Sequence, residues 1–464
     1  MMTYTDLDWV RNAVFYQIFV DRFSNGDSTN DPPGVVPWGS APTRDNFFGG
    51  DLRGVLDHLP YLVNLGVTAL YLTPIFQAYS NHKYDTSDFM VLDPSFGSIQ
   101  LFRSFVEEAH SRGIRIVLDA VFNHIGDSFW AFKDVRRNGA SSKYASWFFV
   151  DQYPLNQDPP NYQTCGGVWY MPKLNTNNPE VQKHLLDTAT YWMETCDIDG
   201  WRLDVPWKVS IDFWKLFRER IKRIKPDAYI VGEIWGDSRP WLQGDTCDGV
   251  MNYSLRNSIF DYFVFDTKDA EDFNYEINLL RQVHGPAGSV QLNLLGSHDT
   301  PRLLTICKDD ISRAILSIVF LFTYIGAPMI YYGDEIGMTG DNDPDCRRCM
   351  IWDEAKWENR LVDIYRILSR ARHEHSALRR GDFFPLFIFN GVYAYLRRID
   401  DDEVIVVLNP RDVRHNIRIP LGELNIKGNL WNNLLGEGIF RVVDAHLQID
   451  ILPAKGALLL VPHN

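Results

Sequence analysis

The sequence predicts an α/β protein: a (β/α)8 TIM barrel with a subdomain inserted after its third strand, followed by a C-terminal all-β sandwich domain. Three observations carry that expectation. Eight short apolar runs rich in β-branched and aromatic residues alternate with amphipathic helical stretches. More than fifty residues separate the third run from the next helix start, where a βα loop normally has about two to six. Past residue 381 the helical period gives way to two-residue alternation.

The first strand is expected at 14–20, the second at 69–75 and the third at 115–122, with a helix at 102–112 before the third. The next helix begins at Asn178-Pro179-Glu180, a capping residue followed by proline at the first helical position. Further strands follow at 200–205, 229–235, 249–253, 290–297 and 329–336, with a helix at 213–225. The apolar stretch 314–332 approaches membrane-spanning length, but Gly326-Ala327-Pro328 interrupts it, so it reads as a buried helix and then a buried strand. Alternation at Val392, Ala394 and Leu396 and at Val404, Val406 and Leu408, across an Asp-rich turn, predicts hairpins. The expected boundaries are 1–122 and 179–380 for the catalytic barrel, 123–178 for the insert and 381–464 for the β domain.

Composition narrows the function. Forty-six basic against sixty acidic residues give a net charge of −14, with no Lys/Arg block, which disfavours nucleic acid and anionic membrane as partners. Residues 1–12 lack the basic and apolar regions of a secretory signal, so the expected location is cytoplasmic. The six cysteines are scattered and suggest no disulfide framework; Cys346-Arg347-Arg348-Cys349 is a lone CxxC without the second pair of a zinc ribbon.

In a barrel of this type reactive groups lie where strands end. Four runs finish conspicuously, in DAVFNH (119–124), GWRLD (200–204), GEIW (232–235) and SHD (297–299). Residues two apart on a strand share a face, so Arg202 and Asp204 should both point into the barrel mouth while Leu203 faces the helices. A guanidinium beside a carboxyl favours its ionised form, which suits a nucleophile. Glu233, on the neighbouring strand end, would meet Asp204 and Asp299 as like charges and so keep a proton for donation. One ionised and one protonated carboxyl in a single cleft is the machinery of glycoside hydrolysis. Trp207, directly after the strand end, reads as a sugar-stacking wall. Separately, Asn25-Gly-Asp27, Asn30-Asp31 and Gly49-Gly-Asp51 supply hard oxygen donors, with three acidic groups that could converge on one ion, calcium being the natural candidate.

In order and spacing these four strand ends resemble the diagnostic regions of the α-amylase superfamily of retaining glycoside hydrolases (family 13). MPKLN at 171–175 resembles the neopullulanase, cyclomaltodextrinase and maltogenic amylase subgroup. The resemblance implies Asp204 as nucleophile, Glu233 as general acid/base and Asp299 as transition-state stabiliser, with His124, Arg202 and His298 lining the same subsite. It implies Tyr84 as the aromatic under the reacting glucose, and Trp235 and Arg347 as further substrate contacts. It likewise implies a structural Ca2+ held by Asn25, Asp27, Asn30, Asp31, Gly49 and Asp51, and no organic cofactor.

The implied reaction is hydrolysis of α-1,4-glucosidic bonds, and α-1,6 bonds as a further possibility, in malto-oligosaccharides, cyclodextrins, pullulan or starch. The subgroup's usual N-terminal β-domain, which dimerises its members, does not precede the first strand, so a monomer is expected. Val205-Pro206-Trp207-Lys208 stands where the subgroup has an Ala-Asn-Glu run, which leaves the acceptor preference open. A 4-α-glucanotransferase or an α-glucosidase would use the same residues. A non-catalytic sugar-binding or transporter-associated subunit is the alternative from another class.

Overall fold

The computed structural model describes residues 7–424, 426 and 428–463. In chain order the first strands are β1 (Phe15–Ile18), β2 (Ala69–Leu72), β3 (Phe76–Ala78), β4 (Thr86–Leu92) and β5 (Arg115–Ala120). Then come β6 (Gly200–Leu203), β7 (Tyr229–Gly232), β8 (Gly249–Val250), β9 (Leu292–Leu294) and β10 (Ala327–Tyr331). Eight of these run parallel in the order β8-β7-β6-β5-β2-β1-β10-β9, and a parallel bridge from Met251 to Leu292 closes the ring. The fold is a TIM barrel.

Alternation along each strand sorts side chains into two shells. Phe15, Tyr71, Val117, Tyr229, Val231 and Leu294 fill the barrel interior. Tyr16, Leu70, Leu118, Trp201, Leu203 and Ile230 pack outward against the helices. Trp201 and Leu203 therefore face away from the barrel axis, and Arg202 lies between them on the inner face.

The strands are shorter than their apolar runs. After Ile18 the chain turns into a helical turn, Val20–Phe23, because the buried Asp21 accepts hydrogen bonds from Phe48 N–H and Gly49 N–H and pulls the chain out of the sheet. The last run likewise ends at Tyr331, and 334–336 form a 3-10 turn between two left-handed glycines, Gly333 and Gly337. The antiparallel hairpin β3–β4 was not among the expected elements, since its short, partly exposed strands carry little periodic signal. Two helices begin earlier than read: Ile99–Ser111, where Ser98 caps by accepting from Leu101 N–H, and Ile211–Ile224.

The helix Pro179–Cys196 begins where its cap predicts, with the Asn178 side chain accepting from Glu180 and Val181 N–H. Before it, the long excursion from β5 holds the helix Trp130–Asn138 and a small core of Phe132, Phe148, Tyr162 and Leu174. A bridge between His124 and Lys173 ties it to the barrel mouth. The run 314–332 resolves into the helix Ile311–Thr323 and strand β10, and among the described residues no helix is long and apolar enough to cross a membrane.

The C-terminal strands are β11 (Asp382–Phe389), β12 (Val392–Ile399), β13 (Asp402–Asn409), β14 (Arg414–Pro420), β15 (Leu430–Asn433), β16 (Ile439–Val443), β17 (His446–Leu452) and β18 (Gly456–Pro462). They form one antiparallel sheet that folds over its own core of Ala394, Leu396, Ile405, Val407, Ile419, Trp431 and Ile449. The opposite face of β12 and β13, with Tyr393, Tyr395, Val404 and Val406, packs on the barrel helices. Both faces of these strands are thus buried, which explains their nearly unbroken apolar sequence.

Candidate active site

The C-terminal ends of β5, β6, β7 and β9 meet around one buried guanidinium. Register places Arg202 directly beside Asp119 of the neighbouring strand. Arg202 Nη1 donates to Asp119 Oδ1 and Oδ2 at 3.0 and 3.1 Å and to Asp204 Oδ1 at 2.9 Å. Its Nη2 pairs with Glu233 Oε2 at 3.0 Å. Asp204 Oδ2 is buried and has no hydrogen-bond partner. One oxygen of this carboxyl is therefore anchored and the other is not.

Glu233 is oriented from two sides. Its Oε2 accepts from Val205 N–H at 2.9 Å, and its Oε1 accepts from the Trp235 indole N–H at 2.8 Å. Val205 has φ of +34°, a strained backbone for a β-branched residue, and that strain turns its N–H toward Glu233. Trp235 is in turn stacked on Tyr253, with ring centroids 3.7 Å apart, while keeping 42% of its surface exposed.

His298 and Tyr84 form the opposite wall. Their rings lie nearly parallel, 5.5 Å apart, and Tyr84 Oη stands 2.7 Å from His298 Nε2 and donates to Asp119 Oδ2 at 2.9 Å. The Gln17 amide is 2.7 Å from His298 Nδ1. Asp299 lies 3.2 Å from both His298 Nε2 and Arg347 Nη2, and Arg347 Nη1 reaches Asp343 at 3.0 Å. Behind this loop, Arg302 is paired with the buried Asp334 at 3.1 Å, and Asp334 Oδ2 occupies the space that a Cβ on Gly296 would need. His124 is buried with its Nε2 unpartnered, and Trp207 sits 43% exposed in the turn after Asp204.

Electrostatics correct one expectation. Arg202 was expected to hold Asp204 low, but burial pushes the Asp204 carboxyl well above the ordinary aspartate range, and Glu233, Asp119 and Asp299 reinforce the shift against Arg202. The single guanidinium is shared among several carboxyls, so it does not offset the desolvation of Asp204. Burial also pushes His82 down to about 3 and His124 to about 4, and takes His298 well below the ordinary histidine range. These imidazoles are neutral at working pH and offer hydrogen bonds rather than charge. If Asp204 must be ionised to react, a raised pKa moves the loss of activity upward on the acid side. We expect the acid limb of kcat/KM to have its midpoint above the ordinary aspartate range, as a pH profile on a short substrate will show.

Sequence reading assigned no role to Asp119, Tyr71, Gln17, His82, Asn123 or Asp343. Asp119 was legible within DAVFNH, since it shares the inward face that aligns with Arg202; Tyr71 and Gln17 were not, because their partners Asp119 and His298 belong to other strand ends, while His82, Asn123 and Asp343 bond close neighbours in sequence, Tyr84, His124 and Arg347.

The loop proposed to hold calcium is drawn together, but not by three acids. Among the described residues no three His, Cys, Asp or Glu side chains converge to hold an ion. Asp51 spends its carboxylate on N–H groups of Gly26, Asp27 and Gly54, and Asp27 caps Thr29. Asn25 and Asp31 meet at 2.7 Å beside Gly49, where a Cβ would collide with both. Asn30 Oδ1 is buried without a partner, an orphaned hard oxygen of the kind a cation would satisfy. Asn25, Asn30 and Asp31 thus gather hard oxygens beside Gly49, with Asp51 accepting from the Asn30 amide at 3.4 Å, an arrangement that fits a hard cation.

Residues 17–363 match the family described as "Alpha amylase, catalytic domain". A cyclomaltodextrinase of Thermoanaerobacter pseudethanolicus is 49% identical over 406 residues, covering 87% of this chain and 71% of that protein. Neopullulanase 2 of Thermoactinomyces vulgaris is 46% identical over 463 residues, covering 98% of this chain and 79% of that protein. The solved structure of a cyclic α-maltosyl-(1→6)-maltose hydrolase from Arthrobacter globiformis superposes with a TM-score of 0.90 at 43% identity, covering 98% of this chain and 99% of that one.

Proposed function

This chain belongs to the alpha-amylase family, and we propose that Asp204, Glu233 and Asp299 make it a retaining hydrolase of α-1,4-glucosidic bonds, with α-1,6 bonds accepted as well. It is an α-glucan hydrolase. One observation carries the assignment of roles: Asp204 presents a buried, unpartnered Oδ2 while Arg202 grips its Oδ1, with Glu233 on the same guanidinium.

In the first step Asp204 Oδ2 attacks the anomeric carbon as Glu233 gives its proton to the departing glycosidic oxygen, leaving a glucosyl ester and a free acceptor end. In the second, Glu233 takes a proton from water, the resulting hydroxide displaces Asp204, and the anomeric configuration of the substrate is restored. The contacts that hold Asp299 between Arg347 and His298 support its role in binding the hydroxyls of the reacting glucose as the ring flattens. Tyr84, backed by the His298 ring, supports a stacking role under that sugar. Exposed Trp207 and Trp235 supply further faces along the cleft. Incubation with cyclodextrin, pullulan and soluble starch, followed by product chromatography and anomer detection by NMR, tests this reading. Cleavage with an α-anomer first formed is expected, and a β-anomer first formed would reject retention.

We assign a structural Ca2+ to the loop of Asn25, Asn30, Asp31 and Gly49, which the orphaned Asn30 oxygen supports. The ion would pin residues 25–31 against 49–51. Chelation should lower the Tm, and elemental analysis should find about one calcium per chain; an unchanged melt with no bound metal rejects the site. The cysteines, none of them paired among the described residues, fit a reducing compartment and support a cytoplasmic location.

A further inference from the structure

We infer that the groove between the β3–β4 hairpin and the helix Trp130–Asn138 is a second α-glucan-binding site, outside the catalytic cleft. This inference rests on the functional reading above for the identity of the glucan. The groove has a volume of about 410 Å3, and Tyr79 and Trp130 stand on its walls. Tyr79 is 85% exposed, an unusual position for an aromatic side chain.

Trp130 is held rigid from behind. Its ring contacts Phe129 and Tyr144 at 4.9 Å, Trp147 at 5.4 Å and His184 at 5.7 Å, yet 38% of its surface stays exposed. A preorganised aromatic face loses little entropy when a sugar ring stacks on it. Polar groups surround the two rings. Ser87 is fixed by donating to the Gln77 carbonyl, and Asp88 by accepting from Met90 N–H. Gln77 and Lys133 also line the groove, and neither side chain has a hydrogen-bond partner among the described residues.

Charge narrows the occupant. The lining holds one acid, Asp88, and one base, Lys133, so it offers donors and acceptors without an excess of either sign and suits a neutral polyhydroxylated chain. The hairpin supplies the link to the cleft: the loop that begins at Tyr79 carries Tyr84 to Asp119 and His298 at the reaction centre. A polymer held at Tyr79 and Trp130 is thereby kept near the cleft at high effective concentration, whereas a trisaccharide gains nothing from it.

The test uses native electrophoresis of the full chain in gels containing soluble starch, in a Glu233→Gln background so that the polymer survives. The parent should be retarded. Tyr79→Ala/Trp130→Ala should raise the apparent Kd for starch about tenfold, the size of effect typical of losing aromatic anchors. Tyr79→Ala/Lys133→Ala leaves the packed tryptophan cluster intact and should weaken retardation in the same direction. In otherwise unaltered enzyme, both variants should keep kcat/KM on maltotriose within about twofold while losing activity on starch. A parent that is not retarded, or variants retarded equally with it, overturns the groove assignment. If the unaltered chain cleaves no α-glucan, the hydrolase reading fails instead; starch retardation that depends on Tyr79 would still support the groove.

Discussion

Asp204→Asn should reduce turnover by on the order of 10⁴- to 10⁶-fold with little change in stability, a loss of about 5 to 8 kcal/mol of transition-state stabilisation. Asparagine keeps the shape of the side chain, and its amide oxygen can still accept from Arg202 Nη1 as Asp204 Oδ1 does at 2.9 Å. The Oδ2 position, buried and unpartnered in the native protein, would become an amide nitrogen that cannot form the glycosyl ester. The fold should tolerate the change because the substitution removes one charge from a crowded group whose carboxyl is already pushed up by burial. Single-turnover kinetics on a maltosaccharide, with Tm measured in parallel, would settle it. Near-normal turnover in a folded variant would remove Asp204 from the nucleophile's role.

The inward placement of Arg202 and Asp204 followed from period two alone, and Trp201 and Leu203 do pack outward. Barrel class followed from counting alternating elements, because parallel strands buried on both faces leave long apolar runs. Strand ends did not follow, since an apolar run continues past the last ladder bond whenever the next turn is also buried, as at Val20–Phe23. The direction of the Asp204 shift was misjudged for a similar reason. Sequence shows which charges are near one another, but desolvation depends on how completely the barrel closes over them. The strained Val205 N–H on Glu233 and the Asp334 support behind Gly296 likewise exist only once distant strands are brought together.

Arg202→Leu should be the most damaging single change to both activity and fold. In the native protein this guanidinium is fully buried and serves Asp119, Asp204 and Glu233 together. Removing it strands several acidic groups in a site that excludes water, and breaking a buried ion pair in this way costs about 3 to 5 kcal/mol. Part of that cost is avoided if carboxyls take up protons, and burial already pushes Asp119 and Asp204 in that direction. A protonated Asp204 is no nucleophile, so the route that rescues the fold abolishes the reaction. Stability of the variant should accordingly recover as pH falls, while activity does not. Coupling can be tested directly: Asp119→Asn/Arg202→Leu should be less destabilised than the two single changes added together, because the double variant no longer buries an unpaired Asp119. Additive losses in denaturant unfolding would mean that Arg202 supports the barrel by packing alone. Arg202→Lys separates charge from geometry, since a single ammonium cannot reproduce the two-pronged grip on Asp204 and Glu233. It should restore much of the stability and little of the rate, as expected if the guanidinium's role in catalysis is to fix where the two carboxyls stand.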